Sequence, residues 1–147
     1  AAAQSRRHRL QHGVDAGMKV TAKVKLDKSK MAELEKIQHQ ALEMTATAVL
    51  TDIRASAVVP KDTGELERSG FVDTSEILQG VVSIVFSTPY ARRLYWHPEY
   101  NFRQDKNRNA RGKWMEPYHT DGQKKEWVIE TYQKFLQMLM KQRGLIK

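Results

Sequence analysis

No cysteine occurs among the 147 residues, so the chain has no disulfide framework, no thiolate metal site and no cysteine nucleophile. Long apolar runs are missing too. Nothing approaches the ~18 consecutive apolar residues that read as a membrane span, and no membrane partner is expected. Motifs of catalysis are equally scarce. Ser69 sits in no Gly-x-Ser-x-Gly context, no glycine loop is built to cradle phosphate, no His-x-x-x-His pair falls on an expected helix, and no EF-hand-spaced carboxylate loop occurs. His97, Glu99, His119 and Asp121 bracket a loop without metal-ligand spacing and read as hydrogen-bonded or solvent-facing groups. The triplet Asp62-Thr63-Gly64 matches an aspartic-protease signature. It occurs once, however, so the two carboxylates of that chemistry would need a dimer, and the turn-forming reading prevails. No enzymatic activity, cofactor or metal is expected.

Acidic residues are outnumbered, 17 against 25 basic ones, for a net charge of +8. The excess is local. Arg6, Arg7 and Arg9 against Asp15 contribute +2, and Arg103, Lys106, Arg108, Arg111 and Lys113 against Asp105 contribute +4. The remainder is nearly balanced, which argues against a dedicated DNA-binding face.

The length suits one domain with a real core. Residues 1–17 are basic and rich in Gln and Ala, with no apolar period, and read as a cloning remnant or a disordered arm before a single domain at 18–147. Met18, Val20, Ala22, Val24 and Leu26 then alternate with Lys19, Thr21, Lys23 and Lys25, the pattern of a half-buried strand. Asp27 or Ser29 offers an N-cap to a long helix ending near Ser56. Its apolar residues form two adjacent stripes: Leu34, Ile37, Ala41, Met44 and Ala48, then Leu42, Ala46, Val49, Ile53 and Ala57. Two runs, 71–74 and 81–86, read as a β-hairpin with a longer loop, whose partly apolar second face (Val81, Val85) points to a covering element or a neighbouring subunit. Residues 90–96 fit either a helical turn or a strand. Residues 98–120 have no period, and a loop that long is functional or disordered. A last helix capped by Thr120 or Asp121 runs to about Gln142, with Val128, Tyr132, Phe135, Leu136 and Leu139 as its apolar stripe.

The chain reverses between the first helix and the hairpin, at Val59-Pro60-Lys61-Asp62-Thr63-Gly64-Glu65-Leu66. Pro60 disfavours helix at Val59, Asp62 and Glu65 have capping-box spacing, and Gly64 lies where a turn needs positive φ. The ordered series Asp62-Thr63-Gly64-x-Leu66-x-x-Ser69, a hairpin, and then Thr88-Pro89-Tyr90-Ala91 resembles the minor capsid and tail-completion proteins of the phage head–tail neck. Tyr95-Trp96-His97-Pro98-Glu99-Tyr100-Asn101-Phe102 and Asn109-Ala110-Arg111-Gly112-Lys113-Trp114 extend the resemblance toward its minor capsid branch. It runs from about Met18 to the C-terminus.

The expected fold is α+β: a small antiparallel sheet, with a long N-terminal helix and a C-terminal helix packed on it. The resemblance implies a structural virion protein at the head–tail junction of a tailed phage or prophage, present in the host cytoplasm before assembly. The partners it implies are a connector, stopper or tail-terminator ring, with the protein oligomeric in the virion and monomeric when free. The expected assembly interface comprises Arg92, Arg93, Trp96, His97, Tyr100, Phe102, Arg103, Arg108, Arg111, Trp114 and Tyr118, and the loop over 98–120 is expected to be mobile until a partner orders it. Pro60, Asp62, Thr63, Gly64 and Leu66 form the turn. The alternative is a basic nucleic-acid-binding domain used in DNA packaging, and in the favoured reading DNA contact is secondary.

Overall fold

The computed structural model describes residues 27–147, so the strand expected over 18–26 and the segment 1–17 lie outside the described residues. Asp27 opens the first helix, its Oδ1 accepting from the backbone N–H groups of Ser29 (3.0 Å) and Lys30 (3.3 Å). Helix α1 (Lys28–Ala55) buries Ile37, Ala41, Thr45, Val49 and Ile53, one residue every four, with Leu50 beside them. That line runs between the two expected stripes and includes a polar residue. Thr45 is tolerated there because its hydroxyl donates to the Ala41 carbonyl at 2.7 Å.

The chain leaves α1 through Ala57, whose φ is +54°, and buries Val59 completely. Gly64 then takes φ +84°, the positive value its place in the turn called for. The short helix α2 (Glu65–Arg68) follows and sinks Leu66 into the core. The expected Asp62–Glu65 capping box does not form: Thr63 Oγ1 accepts from the Glu65 N–H, while the Asp62 carboxylate is drawn to Arg103.

Strands β1 (Gly70–Asp73) and β2 (Ser83–Phe86) pair antiparallel, with Gly70 opposite Phe86 and Val72 opposite Ile84. Arg54 Nη2 donates to the Gly70 carbonyl at 2.7 Å, fastening β1 to the end of α1. The hairpin expected from the sequence is present. Ile84 and Phe86 pack inward, and Phe71 and Val81 remain on the surface. Residues 90–96 resolve as helix: α3 spans Ala91–Tyr95.

The last helix, α4 (Lys125–Gln142), begins later than Thr120 or Asp121. Residues 121–124 are held in a turn instead, with the Gly122 N–H on the His119 carbonyl (2.8 Å) and the Lys124 N–H on the Pro117 carbonyl (2.7 Å). Helix α4 runs antiparallel to α1, since Lys124 meets Asp52 at one end and Arg143 meets Glu33 at the other. Two apolar clusters result. Ile37, Ala41 and Leu139 centre one, with Tyr132, Phe135 and Leu136 of the expected stripe around them. Val49, Ile53, Val59, Leu66, Ala91, Tyr95 and Trp114 make the other, joined by Ile84, Phe86 and Val128. The α+β fold is thus a helix pair whose one end is completed by a hairpin and a docked loop. No helix among the described residues is long and apolar enough to cross a membrane.

Candidate assembly surface

Spacing within α3 divides its side chains. Ala91 and Tyr95, four apart, turn into the core, which leaves Arg92, Arg93 and then Trp96 on the outside. Burial pushes the Tyr95 phenol up to about 12, helped by the Glu116 carboxylate that its hydroxyl reaches at 3.3 Å.

The long loop was expected to be mobile until a partner orders it; it is docked on its own domain. The N–H groups of Asn109, Arg111 and Lys113 donate to the carbonyls of Ala57 (3.0 Å), Val58 (2.9 Å) and Tyr95 (2.8 Å). Asn107, buried, gives its amide to the Val59 carbonyl (2.7 Å) and to Glu67 Oε2 (2.6 Å). Gly112 passes under Pro98 so closely that a Cβ would lie 2.8 Å from the Pro98 Cα, so only glycine lets the two backbones approach. Backbone groups that a surface loop leaves to water are here paired inside the protein.

Docking sorts the expected interface residues. Trp114 is not a surface anchor. It is 1% exposed, and its ring meets Tyr95 edge-on at 4.9 Å and Phe86 at 5.5 Å. Tyr118 is half-buried, donating to Asp52 Oδ2 at 2.6 Å. Leu66 and Pro60 of the turn are buried as well, whereas Asp62 and Thr63 are exposed. Arg103 is exposed but occupied: it grips Asp105 with two nitrogens, at 2.7 and 2.6 Å, and reaches Asp62 at 2.8 Å. The Arg103 hydrogen bonds hold the Asp105 carboxyl down to about 2. This bridge ties the loop to the turn and removes one cation from the basic surplus. Arg108 and Arg111 are exposed.

The outward residues form a short aromatic row. His97 stacks on Tyr100 with centroids 4.7 Å apart and planes 6° from parallel, and Phe102 follows at 6.2 Å. His97 Nδ1 lies 2.7 Å from Glu99 Oε1, a hydrogen bond that lowers the Glu99 carboxyl below its ordinary range. Trp96, 57% exposed, carries the Lys113 ammonium over its ring at 5.7 Å. The surface therefore joins Arg92, Arg93, Trp96, His97, Tyr100 and Lys113.

Two parts escaped the sequence reading. Asn107 gave no signal, because its acceptor Val59 lies 48 residues away in the chain. Lys124 gave none either, and its ammonium sits 2.6 Å from Asp52 Oδ2, 3.2 Å from Ser56 Oγ and 3.4 Å from the Tyr118 hydroxyl. A serine beside a lysine is a familiar nucleophile–base pair, which requires the lysine to lose its proton. Here the Asp52 hydrogen bond raises the Lys124 pKa, so the ammonium stays charged and the cluster serves as a tie between α1 and the start of α4. Among the described residues, no three His, Asp or Glu side chains are placed to hold a metal ion. No family model, no curated protein and no solved structure matches the chain.

Proposed function

We propose that the protein is a structural virion component of a tailed phage or prophage, acting at the head–tail junction without catalysis. It joins a connector, stopper or tail-terminator ring through the surface of α3 and the loop after it. One observation carries this reading beyond the motif series: exposed aromatic side chains and cations are set on a backbone ladder that is already complete in the single chain. A surface whose side chains are ordered beforehand loses less entropy on association. Aromatic and arginine residues are also the types over-represented at binding hot spots.

Light scattering on the full chain, alone and with its neighbouring neck proteins at moderate salt, tests the proposal. A monomer that enters a discrete ring only with those partners is the expected result. The same Trp96, Tyr100, Arg92, Arg93 and Lys113 favour a second reading, a domain that stacks bases and neutralises phosphates. A chain that stays monomeric beside neck proteins, yet titrates DNA stoichiometrically, would replace the first reading with the second.

A further inference from the structure

Beside Trp96 the surface opens into a cavity of about 340 Å³, small for a ligand site but ample for one large side chain. Its walls are Phe86, Tyr95, Trp96 and Trp114, with Arg92 and His119 also lining it. We propose that this cavity receives an apolar side chain carried on an acidic segment of a partner protein. The inference rests on the assembly reading of this surface and supplies the chemistry of the partner.

Shape and charge select that occupant together. Tyr95 and Trp114 are buried and meet edge-on, so the rings behind the cavity are fixed before binding. Filling such a cavity with an aliphatic or aromatic side chain removes apolar surface from water on both partners. Arg92 lines the cavity and the Lys113 ammonium lies over the ring of its Trp96 wall, and neither makes a salt bridge to a carboxylate among the described residues. The nearby carboxylates are engaged elsewhere: Glu99 with His97, and Glu116 with the Tyr95 hydroxyl. An incoming acidic segment therefore meets two cations that no carboxylate already pairs. A single strand of nucleic acid would use this surface differently. It needs flat ring faces for successive bases and cations that follow a backbone, whereas here Arg92 and Lys113 flank a hole of side-chain size.

The test uses the full chain, isotope-labelled for NMR, and two peptides of equal charge. The probe is acetyl-Asp-Glu-Leu-Phe-Glu-Asp-amide, and its control replaces Leu-Phe with Ala-Ala. Saturable shifts at Trp96, Trp114 and Arg92 are expected with the probe, and binding at least about tenfold weaker with the control. Arg92→Glu should weaken the probe by about tenfold or more while Arg92→Lys keeps most of the affinity, and Trp96→Ala should abolish saturation. Both sites are exposed, so circular dichroism should show the variants folded. Equal binding of the two peptides would overturn the proposal, leaving charge without a pocket. Shifts of the same residues by a ten-nucleotide oligo-dT, with both peptides inert, would overturn it in favour of nucleic acid, and no response to any probe at millimolar concentration would dismiss the cavity as a site. Ring assembly without peptide binding would sink this inference alone; peptide binding without ring assembly would sink the head–tail reading and leave the pocket.

Discussion

Along α1 and α4 the contacts recur at helical spacing: Ile37 and Ala41 face Leu139, with Tyr132, Phe135 and Leu136 on the same stripe. Around Trp114 the rings come from separate segments. There the ring stack takes Phe86 from β2, Tyr95 from α3 and Trp114 from a loop, and the loop is fixed by hydrogen bonds from Asn107, Asn109, Arg111 and Lys113 to carbonyls at 57–59 and 95. The first region is held by a repeated local pattern and the second by contacts between distant segments. The difference matters for function, because the exposed aromatic row sits on the second.

Trp114→Ala should cost the most, about 3–5 kcal/mol in urea unfolding, since it empties the ring stack that the loop closes over. Trp96→Ala, eighteen positions earlier and exposed, should stay within about 0.5 kcal/mol while weakening association. Equal costs at the two tryptophans would erase the distinction between anchor and surface. Leu139→Ala should cost about 2–5 kcal/mol and open the other region, so that native-state hydrogen exchange rises along α1 and α4 before it rises at Arg111 and Lys113. Simultaneous opening of both would mean that the molecule is one cooperative unit.

Asn107→Ala leaves the Val59 carbonyl and the Glu67 carboxylate without their donor and should cost about 1–3 kcal/mol. Its signature is faster exchange of the Asn109 and Arg111 amides; unchanged protection there would show that the backbone ladder stands without its buried side chain. The smallest effect is at the junction of the two regions. Burial by itself would raise the Asp52 carboxyl, but hydrogen bonds from Lys124 and Tyr118 outweigh it and bring the carboxyl below its ordinary 3.8. A carboxyl depressed in the folded state stabilises above its unfolded pKa, and that contribution is lost as pH falls through the folded value. Stability should thus decline below about pH 4 more steeply in the native chain than in Asp52→Asn, and parallel acid curves would show that the tie adds nothing.

Much of this architecture is legible from local chemistry. Asp27 caps α1, Gly64 takes its positive φ, and the stripe from Val128 to Leu139 packs against one or other of the two clusters. Each of these depends on residues within a few positions of one another. The candidate surface was half legible. Composition singled out the aromatic and basic residues of 92–118, yet composition is the same for Trp96 and Trp114, one exposed and the other enclosed. Asp62 shows the same limit: its capping-box spacing was sound, but Arg103, 41 residues on, competes for the carboxylate and takes it.

Chain order alone was enough to specify two amphipathic helices, a hairpin between turns, and a basic excess confined to short stretches, because capping, periodicity and charge act over a few residues. Which aromatics face water, which cations keep an unspent charge and whether the long loop is anchored were settled only when β2, α3 and 107–114 came together. Burial and pairing belong to all the segments that meet at a point, and no one of them carries that information by itself.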